Sequence, residues 1–242
     1  KSTYAPKTKG DKAAIEEAVA LIENAKRPIL YSGGGVINSG PGASQLLREL
    51  VAKTDFPITS TLMGLGCYPA SGKNWLGMLG MHGSYEANLA MHDCDVMVCI
   101  GARFDDRITG RIDAFSPQSK KIHIDIDASS INKNVKVDVP IIGDVGHVLE
   151  DMLKIWKSRG RKTKAEEVKK WWTKIDEWRD KKCFSYKPSA ETIKPQHALE
   201  RLEDLTKGAD RYITTEVGQH QMWAAQFLGF EAPNRWMTSG GL

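Results

Sequence analysis

The chain has 242 residues and a formal net charge of +4, with 41% apolar and 26% charged residues. These apolar and charged fractions are ordinary for a soluble globular protein. No apolar run approaches the ~20 residues of a membrane-spanning helix, and the first residues show no secretory signal pattern. We therefore expect a cytoplasmic protein without membrane contact.

The cysteine and charge patterns argue against two further classes of function. Cys67, Cys94, Cys99 and Cys183 show no CxxC spacing, and no His/Cys/Asp cluster has the spacing of a zinc site. We therefore expect reduced, structural cysteines and no metal-binding residue. Basic residues are in excess over 154–182, but acidic residues interleave with them, which favours a solvated helix over a nucleic-acid surface.

A first helix over residues 11–25 precedes a strand–turn–helix unit. The strand, residues 28–32, is followed by Gly33, Gly34 and Gly35 and then by a helix over 43–53. A GxGxxG fingerprint fails here because Asn38 replaces the third glycine, and the next strand, 57–61, ends in hydroxyls rather than a ribose-binding carboxylate. The glycines therefore either let a ligand approach the backbone or only form a tight turn.

Residues 62–84 are rich in glycine and methionine and predict a long loop. An open backbone with polarisable apolar side chains suits a flat ring system. The alternative is a loosely packed core loop, and His82 could bond either a ligand or its own loop.

The densest charge cluster follows a buried strand. After a helix over 85–91, residues 96–100 form an unbroken apolar run, and three arginines and two aspartates then follow Gly101 within residues 103–111. Since ligands of open α/β sheets bind at the carboxyl ends of strands, and arginine matches phosphate geometry, this pattern favours a phosphate-bearing ligand. A surface network of Arg–Asp pairs is the alternative.

Two more strands end in acidic residues. Strand 121–127 carries Asp125 and Asp127, which can accept from ribose or ribityl hydroxyls, although Asp127 can instead cap the turn that follows. Strand 137–142 contains Pro140, which predicts an edge position. Gly143, Asp144 and Val145 then repeat the strand–glycine–acid pattern before a helix over 148–157.

Strand and helix thus alternate over residues 1–158, which predicts an α/β domain with a doubly wound parallel sheet. Because four strand ends carry glycine or aspartate, we expect a nucleotide-like ligand at one edge of this sheet. Residues 159–190 predict a charged helical connector, whose aromatic stripe is typical of a helix packed on neighbouring structure.

A second α/β unit begins in residues 191–242 and is incomplete. It shows a helix over 195–204, a strand over 212–215 and a helix over 221–227. Gln219 and His220 precede that last helix, where exposed N–H groups favour anions. Fifty residues cannot bury a full core, so we expect this unit to be the start of a larger domain.

Five stretches in this order, residues 60–66, 78–83, 101–110, 123–127 and 216–221, resemble acetohydroxyacid (acetolactate) synthase, a thiamine-diphosphate enzyme, in its catalytic subunit. In that family the subunit has three α/β domains, and the resemblance places this chain as the FAD-binding middle domain plus the start of the thiamine-diphosphate-binding domain. By the same resemblance, Gln219 and His220 hold thiamine diphosphate, and Asp106 and Arg107 lie at the substrate-channel mouth. The residues implied for FAD are Gly33, Gly34, Gly35, Thr61, Leu62, Leu79, Gly80, Met81, His82, Gly101, Ala102, Arg103, Phe104, Asp105, Asp125, Ile126, Asp144 and Val145.

The family joins pyruvate to pyruvate or 2-oxobutyrate with loss of CO2, in branched-chain amino-acid biosynthesis. The resemblance also implies a homodimer or higher oligomer and a separate regulatory subunit. The family's catalytic glutamate and its Mg2+-binding segment match nothing in this chain, so we expect the chain alone to be inactive. Another FAD-containing thiamine enzyme, of the pyruvate oxidase or glyoxylate carboligase type, or a non-catalytic FAD-binding module remain as alternatives; the run 105–107 favours the synthase.

Overall fold

A six-stranded parallel sheet forms the centre of the molecule, in the order β3-β2-β1-β4-β5-β6. The computed structural model describes residues 5–240; residues 1–4 and 241–242, the extreme ends of the two predicted domains, lie outside the described residues. The sheet confirms the predicted doubly wound α/β fold. Its strands are β1 (Pro28–Ser32), β2 (Ile58–Ser60), β3 (Trp75–Met78), β4 (Val96–Ile100), β5 (Lys120–Asp125) and β6 (Val139–Ile142).

Helices cover both faces of this sheet because its central strands are apolar on both sides. In β4, Val96, Val98 and Ile100 point into one core, whereas Met97 and Cys99 point into the other. The first core is closed by α1 (Lys12–Asn24), α3 (Pro41–Thr54) and α6 (Val145–Ser158), and the second by α4 (Tyr85–Asp93) and α7 (Ala165–Arg179). The other helices in residues 5–180 are α2 (Gly34–Asn38) and α5 (Asp106–Thr109).

Two strand predictions need correction. Residues 62–84 are not only a loop, because they contain a short 3-10 turn and β3; a four-residue strand with Gly77 inside it carries little periodic signal. The predicted strand 121–127 ends at Asp125, since Asp127 caps the next turn and accepts the N–H of Ser129 at 2.9 Å. Pro140 does lie in the edge strand β6, as expected.

Two helices with predicted site residues at their starts begin earlier than their hydrophobic patterns predict. Helix α6 begins at Val145, three residues before the predicted start, because the Asp144 carboxylate accepts the N–H groups of Gly146 and His147. Helix α9 (Gln219–Phe227) begins at Gln219 rather than Gln221. Both shifts bring predicted site residues into a first helical turn.

Helix α7 packs directly on the sheet. Trp171, Ile175 and Trp178 are buried, and Trp171 Nε1 donates to Pro28 O at 2.9 Å. Its aromatic stripe therefore packs on neighbouring structure, as its spacing indicates. The buried cysteines are structural as well, since burial raises the pKa of Cys67 and Cys94 to about 11.

A smaller unit lies beside β3. It contains α8 (Pro195–Thr206), β7 (Ile213–Thr215), α9 and β8 (Trp236–Thr238), with β7 and β8 paired in parallel. Apolar side chains of α9 and of the segment after it, including Ala225, Leu228 and Phe230, pack against Leu65 and Met78. The unit thus adds two helices and a two-stranded sheet to the flank of the main domain.

Candidate functional site

All six strands end at the same edge of the main sheet. Ser32, the last residue of β1, pairs with Ser60 of β2 and with Ile100 of β4. The chain crosses from β1 towards β2 and later from β4 towards β5, in opposite directions, so β1 and β4 flank the topological switch point where ligands of such sheets bind. This edge carries the predicted residues Gly33 to Gly35, Thr61, Leu62, Leu79 to His82, Gly101 to Arg107, Asp125, Ile126, Asp144 and Val145.

The glycine turn lies at the switch point, and two of its glycines are needed for the close packing of the turns after β1 and β4. Gly33 N donates to Ile100 O at 3.0 Å, and Gly35 N donates to Gly101 O at 2.9 Å. A Cβ on Gly35 would lie 2.7 Å from Gly101 Cα, and a Cβ on Gly33 would also meet backbone. Gly34 is different, since its nearest neighbour would be Met63 Cβ at 3.3 Å. Gly33 and Gly35 therefore form the tight turn, and Gly34 keeps the more open backbone.

The loops that follow β3 and β4 are joined to each other. Met81 N donates to Arg107 O at 2.8 Å. Gly80, with φ of +91°, permits this approach because a Cβ there would lie 2.6 Å from the same carbonyl. The Asn88 side chain bonds both the N–H and the C=O of Gly80, at 2.8 and 2.9 Å. Met81 and His82 are left exposed on this joined surface.

The charged loop after β4 turns polar groups outward. Arg103 and Asp105 form an ion pair at 3.0 Å, with side chains 66% and 45% exposed. Such a pair contributes at most about 1 kcal/mol, so the guanidinium remains available to an anion. Within residues 5–240, the N–H groups of Ala102 to Asp105 have no acceptor. A run of unpaired N–H groups beside an arginine is suited to a phosphate.

The acidic residues of the edge have structural partners. Asp125 Oδ1 accepts a hydrogen bond from the N–H of Asp127 at 2.9 Å. Asp144 Oδ1 accepts one from the Ser39 hydroxyl at 2.7 Å and also caps α6. Val145 is buried, and Ile126 is exposed. Each carboxylate keeps a second oxygen that accepts no hydrogen bond from residues 5–240, so each can accept from a ligand hydroxyl.

Gln219 and His220 lie on the smaller unit, at the start of α9. Both are exposed in the first turn of α9, whose cap Gly218 supplies no side chain. Gln221, which the sequence patterns did not single out, is buried and its Nε2 donates to Thr238 Oγ1 at 2.6 Å. This bond ties the start of α9 to the carboxyl end of β8.

The two units also approach each other at Met63. A Cβ on Gly240, just beyond β8, would lie 3.1 Å from Met63 Sδ, and Met63 in turn adjoins Gly34. The carboxyl end of β8 therefore approaches the carboxyl edge of the main sheet.

Two cavities lie beside the main sheet in the described part of the chain. One, of about 220 Å³, lies between Trp75 of β3 and Phe227 and Phe230 of the smaller unit. The other, of about 500 Å³, lies beside Arg27 and Trp171, at the edge where the strands begin. Among residues 5–240, no group of three or more His, Cys, Asp or Glu side chains could hold a metal ion, and no helix is long and apolar enough to cross a bilayer.

Comparison with known proteins gives a consistent set of relatives. A family model described as thiamine pyrophosphate enzyme, central domain, matches residues 15–152. The acetolactate synthase isozyme 3 large subunit of Escherichia coli is 45% identical over 240 residues, which are 99% of this chain and 41% of that protein. The Haemophilus influenzae acetolactate synthase large subunit is 44% identical over 99% of this chain and 41% of its own length. The Mycobacterium leprae acetolactate synthase is 42% identical over 99% and 38%. The chain thus spans about two fifths of the length of these relatives.

Proposed function

Because the chain belongs to the thiamine pyrophosphate enzyme central-domain family, we propose that it is the FAD-binding middle domain, with the opening of the next domain, of an acetolactate synthase large subunit. The proposed boundaries are residues 1–158 for the FAD-binding domain, 159–190 for the connector and 191–242 for the start of the thiamine-diphosphate-binding domain. The whole enzyme would condense two 2-oxo acids, pyruvate with pyruvate or 2-oxobutyrate, with loss of CO2.

The residues of the carboxyl edge fit the parts of FAD. The unpaired N–H groups of residues 102–105 and the Arg103 guanidinium suit its diphosphate. The second carboxylate oxygens of Asp125 and Asp144 suit its hydroxyls. Gly34 allows a close backbone approach, and the exposed side chains of Met63 and Met81 suit a flat ring. The observation that chiefly supports this proposal is that β1, β2 and β4 end side by side at the switch point.

The smaller unit would contribute to a thiamine-diphosphate site. Gln219 and His220, exposed at the start of α9, would hold the diphosphate by their side chains together with the N–H groups of that helix turn. Thiamine diphosphate, when bound, supplies the stabilisation of negative charge at the former carbonyl carbon of the substrate. Mg2+ would bind outside this chain.

The substrate channel is proposed to open at α5. Asp106 and Arg107 are exposed there, and Arg107 Nη1 lies 3.9 Å from Met81 Sδ. A guanidinium at this position would attract the carboxylate of a 2-oxo acid. The proposed mouth of the channel would thus lie beside the joined loops that follow β3 and β4.

The proposed surroundings are those of a cytoplasmic enzyme assembled from several subunits. Two of the relatives are named as large subunits, which supports a separate regulatory subunit. The homodimer or higher oligomer is proposed from the family resemblance alone. A coupled acetolactate assay on this chain with FAD, thiamine diphosphate and Mg2+ should give no product, since the resemblance assigns the catalytic glutamate to another domain. Product formation would contradict this division of roles.

Flavin titration of the chain tests the FAD proposal. We expect the fluorescence of FAD to be quenched when it binds to the chain. Riboflavin should bind at least about tenfold more weakly, because it lacks the diphosphate contacts. Arg103→Gln should weaken FAD about tenfold and leave riboflavin unchanged. Arg159→Gln, which removes the same charge where Arg159 pairs with Glu16 at the far end of α6, is the matched control. Absence of FAD binding, or equal effects of both variants, would contradict the proposal.

A further inference from the structure

Three consecutive carbonyls of the loop after β4 are each held by a side chain from another segment, the buried Tyr31 and His123 and the exposed Asn134. His123 Nε2 lies 2.8 Å from Ala102 O, and because a carbonyl only accepts, this nitrogen carries the proton. The Tyr31 hydroxyl donates to Arg103 O at 2.8 Å, and Asn134 Nδ2 donates to Phe104 O at 2.7 Å. Tyr31 and His123 come from β1 and β5, the two neighbours of β4, whereas Asn134 follows β5.

Phe104 anchors the same loop from within. Its ring is buried and packs on His123 with centroids 5.1 Å apart, on Phe115 at 5.8 Å and on Tyr31 at 6.0 Å. Carbonyls 102 to 104 and the Phe104 ring therefore have partners in the protein. The N–H groups of residues 102–105 have none among the described residues.

His123 gives a second, independent observation. Its side chain is fully buried, and its Nδ1 has no hydrogen-bond partner in residues 5–240. An unpaired buried nitrogen lowers stability, so an apolar side chain would pack there at less cost. The residue contributes instead through the bond from Nε2 to Ala102 O.

We propose that Tyr31, His123 and Asn134 are positioning residues that hold the backbone of residues 102–105 in the conformation that presents its N–H groups to the diphosphate of the cofactor. The proposal rests on the FAD site proposed above. A loop already held in its binding conformation loses less entropy when the ligand binds, which raises affinity. None of the three side chains needs to contact the cofactor.

The experiment compares Tyr31→Phe and Asn134→Ala with Tyr68→Phe in the 242-residue chain. Tyr68 is a matched control because it is also buried and its hydroxyl makes no hydrogen bond among residues 5–240. Two quantities are measured: the dissociation constant for FAD from flavin fluorescence, and the NMR order parameters of residues 102–105 in the absence of FAD. Asn134 lies in an exposed loop, so its variant should fold even if Tyr31→Phe does not.

We expect each positioning variant to weaken FAD about tenfold and to lower the order parameters of residues 102–105 from about 0.85 towards 0.6. The control should change neither. An Asn134→Ala protein with reduced melting temperature but native FAD affinity would overturn the proposal, because a merely structural role predicts that result. If the native chain binds no FAD, the proposed function fails, and unchanged order parameters in both variants would then separately overturn the positioning role.

Discussion

Gly33→Ala tests whether the glycine turn is set by packing between strands. Gly33 has φ of −135°, a conformation open to any residue, so alanine meets no backbone strain. Its Cβ would lie 2.6 Å from the Ala102 Cβ and closer still to Gly101 O. Since these neighbours belong to the backbone or are attached directly to it, they cannot rotate away, and the turns after β1 and β4 must separate.

The magnitude follows from that separation. Reaching an ordinary contact distance of about 3.5 Å requires a shift of about 1 Å. The hydrogen bonds Gly33 N to Ile100 O and Gly35 N to Gly101 O would lengthen, at about 1 kcal/mol each. Overpacking by the new methyl group lowers the free energy of unfolding by a further amount of about 1–3 kcal/mol. Alanine also restricts the unfolded chain, which raises the free energy of unfolding by about 0.4–1 kcal/mol. We therefore expect the free energy of unfolding to fall by about 2–4.6 kcal/mol.

Urea unfolding of the native chain, Gly33→Ala and Gly42→Ala measures this difference. Gly42 lies in the first turn of α3, where a Cβ would meet nothing within 4 Å. The control should thus gain about 0.4–1 kcal/mol from reduced freedom of the unfolded chain. If Gly33→Ala lost less than about 1 kcal/mol, the packing explanation of this turn would be wrong.

Three further predictions concern neighbouring positions. Gly34→Ala should change stability by less than about 1 kcal/mol yet weaken FAD about tenfold in a flavin titration; unchanged affinity would remove Gly34 from the site. Asp144→Ala should lower the free energy of unfolding by about 1 kcal/mol at pH 7, because α6 loses its cap, and equal urea midpoints would contradict this. Burial lowers the pKa of His123, so the unfolded chain binds a proton that the folded chain excludes. Stability should therefore fall as pH drops below about 6.5, and His123→Gln should reduce this fall; identical pH profiles would refute it.

The sheet could be predicted where its signal is local. The run Val96–Ile100 is apolar on both faces, which is typical of a central parallel strand, and Pro140 indicates an edge. Strand β3 could not be recognised, because four residues with Gly77 among them show no clear periodicity. Its place in the sheet depends on pairing with β2, which is a tertiary interaction.

The sequence predicts which residues reach the candidate edge, but not which distant side chains hold those residues in place. Residues that follow strands reach one edge as a consequence of parallel topology, so Gly33 and Arg103 could be placed there together. Whether Gly33 serves packing or ligand approach depends on Gly101, which is distant in the chain. The bonds of Tyr31 and Asn134 to the loop after β4 are equally non-local, and neither residue belongs to a recognisable motif.

Chemical-shift mapping of isotope-labelled chain during FAD titration tests the central claim most directly. The largest saturable shifts should fall on amides of the carboxyl edge, at Gly34, in residues 102–105 and at Ile126. Shifts concentrated instead around the cleft of Arg27 and Trp171, at the edge where the strands begin, would contradict the proposed FAD site.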